Sequence, residues 1–131
     1  EDAARIAREI NQRQFPNIPP ERWMEIARQL YNEKGGRPAP GYDAKVARSL
    51  SVFEGPMPTL WPQFDALKRV PALVIRGANS DLLSAATTEA MAARHPALTN
   101  HVVPDEGHAP LLHDKPTLDA IATFLERADE A

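Results

Sequence analysis

The chain has no cysteine, which excludes disulfide staples, thiolate metal sites and cysteine nucleophiles together. It also lacks any apolar run approaching the roughly 20 residues that span a bilayer. Residues 1–11 (EDAARIAREIN) carry neither the charged nor the apolar region of a signal peptide, so no membrane partner and a cytoplasmic location are expected. A basic excess is missing too. Fifteen Lys and Arg against 18 Asp and Glu leave a formal charge of −3, without the positive footprint that nucleic-acid binding requires. What is present suits a folded domain: 43% hydrophobic and 25% charged residues over 131 positions exclude disorder and coiled-coil composition and support one modest core.

The two halves differ in kind. Eight of the 13 prolines and seven of the eight aromatics precede residue 70, whereas all four histidines follow residue 94. Ala3, Ile6, Ala7 and Ile10 have the spacing of an amphipathic helix, which the Phe15-Pro16 step ends. A second helix is expected from Pro20, with Trp23, Ile26, Ala27, Leu30 and Tyr31 on one face and a stop at Gly35-Gly36. A weaker helical stretch runs from Tyr42 to Val52, and Thr59 can cap a fourth helix carrying Leu60, Trp61, Phe64 and Leu67. Residues 1–70 therefore read as short helices joined by proline-rich corners, with no strand.

Beyond Pro71 the period changes. Ala72–Ile75 is an unbroken apolar run, the pattern of a strand covered on both faces, and it breaks at Gly77 into a polar loop. Ser84 can cap a helix through Arg94, Asn100–Val103 reads as a second strand, and Pro116 can open a last helix with Leu118, Ile121, Ala122 and Leu125 on one face. Strand, helix, strand, helix implies a parallel pair with a right-handed crossover. Ligands of open parallel sheets collect outside the carboxyl ends of the strands. Asp81 follows the first strand and His108 the second, one crossover later, so adjacent strands bring both to one edge. A carboxylate that holds an imidazole fixes its tautomer and leaves Nε2 to take a proton from a nucleophile. Taken singly, Asp81 reads equally as an Asx-turn residue and His108 as a turn residue.

The run VPALVIRGANSDLLS, with Gly77 and Asp81 in a G-x-x-x-D spacing, followed by HVVPDEGHAPLL with Gly107-His108, resembles the C-terminal part of an α/β-hydrolase. The resemblance implies a partial α/β-hydrolase fold: a helical cap over residues 1–58, then a core segment over 59–131 with a short parallel β-α-β-α unit. It also implies that Asp81 and His108 are the acid and histidine of a triad in the chain order nucleophile, acid, histidine. The substrates implied are esters, lactones or related small molecules, and the nucleophile of such folds is a serine or an aspartate. Neither a G-x-S-x-G elbow nor an HGGG-type oxyanion motif occurs in residues 1–131, and Ser49, Ser51, Ser80 and Ser84 are not flanked by glycines. The expectation is therefore a fragment or one half of a split enzyme, inactive alone and acting on a small-molecule substrate only when completed by an N-terminal half. The alternative is a non-catalytic oligomerising module that retains the dyad as a relic.

Other constellations carry less. His101, Asp105, His108 and His113 lack compact ligand spacing such as H-E-x-x-H, so no metal and no cofactor is expected. His95, His101 and His113 read as structural or solvent-facing, and Asp105 and Glu106 as solvated turn charges. A two-stranded sheet is marginal alone and leaves a strand edge open, so homo-oligomers through that edge or through exchanged cap helices are expected.

Overall fold

The computed structural model describes residues 2–43, 45–46 and 59–129, and the chain divides into two units, Glu1–Pro58 and Thr59–Ala131. In the first, the periodic apolar residues form helix α1 over Asp2–Asn11. The Asn11 amide donates to the Ala7 carbonyl at 2.7 Å, and Phe15 N–H donates to Asn11 O, closing the helix just before Pro16. Helix α2, Arg22–Leu30, packs on α1, and Ala7, Phe15, Trp23 and Ala27 are buried. Ile10 at the end of the same α1 stripe stays 68% exposed.

The expectation of an all-helical first unit is corrected here. Helix α2 stops at Leu30, and strands β1 (Tyr31–Lys34) and β2 (Arg37–Pro40) form an antiparallel hairpin. Gly35 and Gly36 are its turn, with φ of 60° and 73°, the pair of positive angles that a type I′ turn demands and glycine supplies without strain. Such a turn closes on a hydrogen-bonded pair, Lys34 with Arg37, so the alternating ladder puts Pro38 and Pro40 at sites where no inward N–H is needed. Their missing donors also leave the outer edge of β2 unable to template another strand. The helix expected over Tyr42–Val52 lies largely outside the described residues.

In the second unit, helix α3 is short, Trp61–Asp65, with Pro62 in its first turn. Its aromatic side chains seat the entry to the sheet: Trp61 meets Phe64 edge-on at 5.8 Å, Phe64 lies 5.7 Å from the His95 ring, and the Arg94 guanidinium sits 4.7 Å over Trp61. His95 is buried and its Nε2 donates to the Leu67 carbonyl at 2.9 Å, a structural histidine. Strand β3, Ala72–Gly77, is followed by helix α4, Ala85–Arg94, capped by Ser84 Oγ accepting from Thr87 N–H at 3.0 Å. Strand β4, Leu98–Val103, then runs parallel to β3, in register from Ala72–Leu98 to Gly77–Val103. Helix α5, Lys115–Asp129, closes the unit, and among the described residues no helix is long and apolar enough to cross a membrane.

Strand β3 was expected to be covered on both faces. Ala72–Arg76 are instead only half-buried throughout, because among the described residues β3 pairs with β4 alone. The fully buried side chains of this unit are few: Val103 with Thr88, His95 and Thr117. Leu82, Leu118 and Leu125 are half-exposed or more.

Candidate active site at the strand ends

Because the last paired residues are Gly77 and Val103, β3 and β4 finish level, and the loops that follow emerge side by side. Asp81 lies on the first of them and His108 on the second, both exposed to solvent. Backbone hydrogen bonds join the two loops. Ala78 N–H donates to Val103 O and Asn79 N–H to Glu106 O, each at 2.8 Å. Gly77 is buried beneath this junction, where a Cβ would collide with the Gly107 and Glu106 carbonyl oxygens and come within 2.7 Å of the Glu106 carbonyl carbon. Only glycine permits so close an approach, which gives the glycine of the G-x-x-x-D spacing a definite steric task.

The acid loop has its own scaffold. Arg76, at the end of an otherwise apolar strand, turns its guanidinium along the loop, with Nε donating to Leu83 O at 2.6 Å and an Nη to Ala78 O at 3.1 Å. Ser80 Oγ accepts from Leu83 N–H at 3.0 Å. Asp81 is thus carried on a turn fixed at both ends by charge-assisted and hydroxyl hydrogen bonds. On the histidine loop, Asp105 takes the left-handed conformation with φ of 56°, which aspartate tolerates, and the chain doubles back so that Glu106 turns inward. Glu106 was expected as a solvated turn charge. It is 9% exposed, and its Oε2 accepts from Leu111 N–H at 2.6 Å. A carboxylate can satisfy the backbone donor of a tight loop more strongly than a neutral acceptor can, which no local sequence pattern announces.

Neither described serine is poised as a nucleophile. Ser80 holds the Leu83 amide and Ser84 caps α4, while Ser49 and Ser51 lie outside the described residues. Among the described residues no group of three or more His, Asp or Glu is placed to hold a metal ion.

Comparison with known proteins gives this geometry a frame. An α/β-hydrolase of solved structure from Novosphingobium aromaticivorans superposes with a TM-score of 0.85 at 37% identity, over 96% of this chain and 45% of its own. The chain carries part of the α/β-hydrolase fold. A second solved structure, E-2-(acetamidomethylene)succinate hydrolase, matches over 94% of the chain with a TM-score of 0.63 and 27% identity. Among curated proteins, the 3-hydroxybutyrate-oligomer hydrolase of Cupriavidus necator is 35% identical over 117 residues, 82% of this chain. No family model matches the chain. The chain spans 39% of the curated relative and 45% of each of these two structures. The part of the α/β-hydrolase fold seen here is a parallel β-strand, helix, β-strand, helix unit whose two strands end in joined polar loops.

Asp114, at the end of the histidine loop, caps α5, its Oδ1 accepting from Thr117 N–H at 2.9 Å. The Thr117 hydroxyl and then the Thr117 N–H hold the Asp114 carboxyl below the usual range; burial opposes them and the nearby His101 assists. Thr117 in turn meets His101 Nε2 at 2.9 Å. A depressed carboxylate pKa contributes stability above the ordinary value near ~4 and loses it as pH falls through the folded-state value. Asp114→Ala is therefore expected to destabilise the chain at neutral pH by about 0.5–2 kcal/mol, the usual worth of an N-cap. Urea midpoints for the two proteins should converge on acidification, and a gap that stays constant into strong acid contradicts the assignment.

Proposed function

We propose that residues 1–131 supply the acid and base of a nucleophile–histidine–acid hydrolase, with Asp81 orienting His108. In that reading His108 Nε2 takes the proton of a nucleophile as general base and returns it to the leaving group as general acid. The nucleophile and the oxyanion donors come from outside these residues, and residues 1–58 serve as a cap. The observation that supports the reading is the junction of the two loops, Asn79 N–H to Glu106 O across Gly77, because it joins the loop that carries Asp81 to the loop that carries His108. Substrates are esters, lactones or related small acyl compounds. The names of two relatives, a 3-hydroxybutyrate-oligomer hydrolase and an acetamidomethylenesuccinate hydrolase, make short acyl carboxylates the first to try.

Strand β3 supports a second element of the proposal. Its edge away from β4 has no partner among the described residues, and its apolar side chains are half-exposed, so its backbone groups are available to another strand. We propose that the remainder of the sheet covers that edge and that, without it, a second copy of the chain does so. The test is to sediment the chain alone and after mixing with a separately produced N-terminal region bearing a nucleophile elbow, assaying nitrophenyl esters in both cases. Self-association without turnover alone, and a one-to-one complex with turnover in the mixture, are expected. A compact monomer that gives no complex and no hydrolysis overturns the proposal.

A further inference from the structure

We infer that Glu106 is a positioning residue for His108, acting as a clasp across the loop that carries it; the inference rests on the reading of His108 as the general base. The loop leaves β4 after Val103 and reaches α5 at Lys115. Its inner side is not filled by packing: a cavity of about 350 Å³ lies there, lined by residues including His101, Val103, Pro104, Glu106, His113 and Asp114. Loop shape consequently depends on polar ties, and Glu106 makes three of them. Its carbonyl receives Asn79 N–H from the acid loop at 2.8 Å. Its Oε2 receives Leu111 N–H at 2.6 Å. Its Oε1 faces His113 Nδ1 at 3.6 Å, ion-pair distance when that imidazole is charged.

The three ties bracket His108. One carboxylate, 11% exposed at the side chain, joins the start of the loop to its middle and its end, while the same residue's backbone joins it to the Asp81 loop. Removing the carboxylate leaves the N–H of half-buried Leu111 without its acceptor, and the intervening backbone gains freedom that the general base must then lose in each turnover.

Three variants test the tie. Glu106→Ala removes the acceptor, Glu106→Gln keeps one for Leu111, and Glu106→Asp holds the carboxylate one methylene short of it. Amide exchange and the His108 ring signals are recorded on the 131-residue chain, with Val103 protection as the folding control. In Glu106→Ala, Leu111 exchange is expected to accelerate by about tenfold or more, and the His108 ring signals to move toward those of free imidazole. In Glu106→Gln, Leu111 protection should survive and the His108 ring signals should stay closer to the parent chain's than in Glu106→Ala. Unchanged Leu111 exchange in a folded Glu106→Ala chain overturns the clasp. Should Glu106→Ala unfold β4, Glu106→Asp decides instead: faster Leu111 exchange in a chain with Val103 still protected supports the inference, and unchanged exchange overturns it. None of these readouts needs a nucleophile. Their success beside failed reconstitution keeps the clasp and rejects the catalytic reading, whereas the reverse rejects the clasp alone.

Discussion

His108→Ala should abolish hydrolysis in the reconstituted enzyme, by a factor of about 10⁴ to 10⁶ in kcat. The reason lies in the chemistry assigned to the strand ends. A hydroxyl or carboxylate nucleophile positioned above β3 and β4 needs a base to remove a proton, from itself or from water, and an acid to protonate what leaves. One imidazole performs both tasks, so its loss removes two steps and not one. Asp81→Asn should be the milder change, about 10⁴, since it leaves an amide able to hold the ring but in the wrong tautomer. Neither substitution touches the β3–β4 ladder, because both residues lie beyond Gly77 and Val103, so binding of the chain to the proposed N-terminal partner should be unaltered. Nitrophenyl ester turnover at saturating partner is the measurement. Near-parental turnover in His108→Ala removes His108 from the mechanism.

Gly77→Ala is expected to have the largest effect on folding. A single methyl at this position collides with the carbonyl oxygens of Glu106 and Gly107 and meets the Glu106 carbonyl carbon at 2.7 Å, and backbone cannot rotate aside as a flexible side chain does. Relief requires the histidine loop to lift from the acid loop. That breaks the Asn79–Glu106 hydrogen bond, strains the neighbouring Ala78–Val103 bond and opens the end of the β3–β4 register. Overpacking of this kind costs about 1–3 kcal/mol and backbone collisions more, a large share of a total near ~5–15 kcal/mol. The urea midpoint should fall steeply, and reconstituted activity should fall further than stability does, because the separated loops carry the proposed acid and base. A midpoint within error of the parent chain contradicts the close approach.

Several features of this protein are written in neighbouring residues. The apolar spacing of Ala3, Ile6, Ala7 and Ile10 makes α1, the Ser84 hydroxyl caps α4, and the apolar run Ala72–Ile75 makes β3, because each of these depends on contacts no more than about four positions apart in the chain. The parallel pairing of β3 with β4 follows from the crossover between them. Gly35-Gly36 shows where such reading stops: two glycines end a helix or turn a hairpin equally well, and Tyr31 continues the helical stripe of α2. Two residues of Gly-Gly between short segments are themselves a hairpin signal, but the choice was made by the pairing of residues 31–34 with 37–40. The tertiary structure alone decided the rest of the site. Glu106 is a charged residue in a polar turn until the loop folds over it and Leu111 N–H reaches its carboxylate. Arg76 is one cation in an apolar strand until Leu83 O and Ala78 O come within its reach. Periodicity and capping are short-range and repeat along the chain, so a sequence displays them; the burial of a carboxylate or a collision at one Cα depends on which distant backbone arrives there.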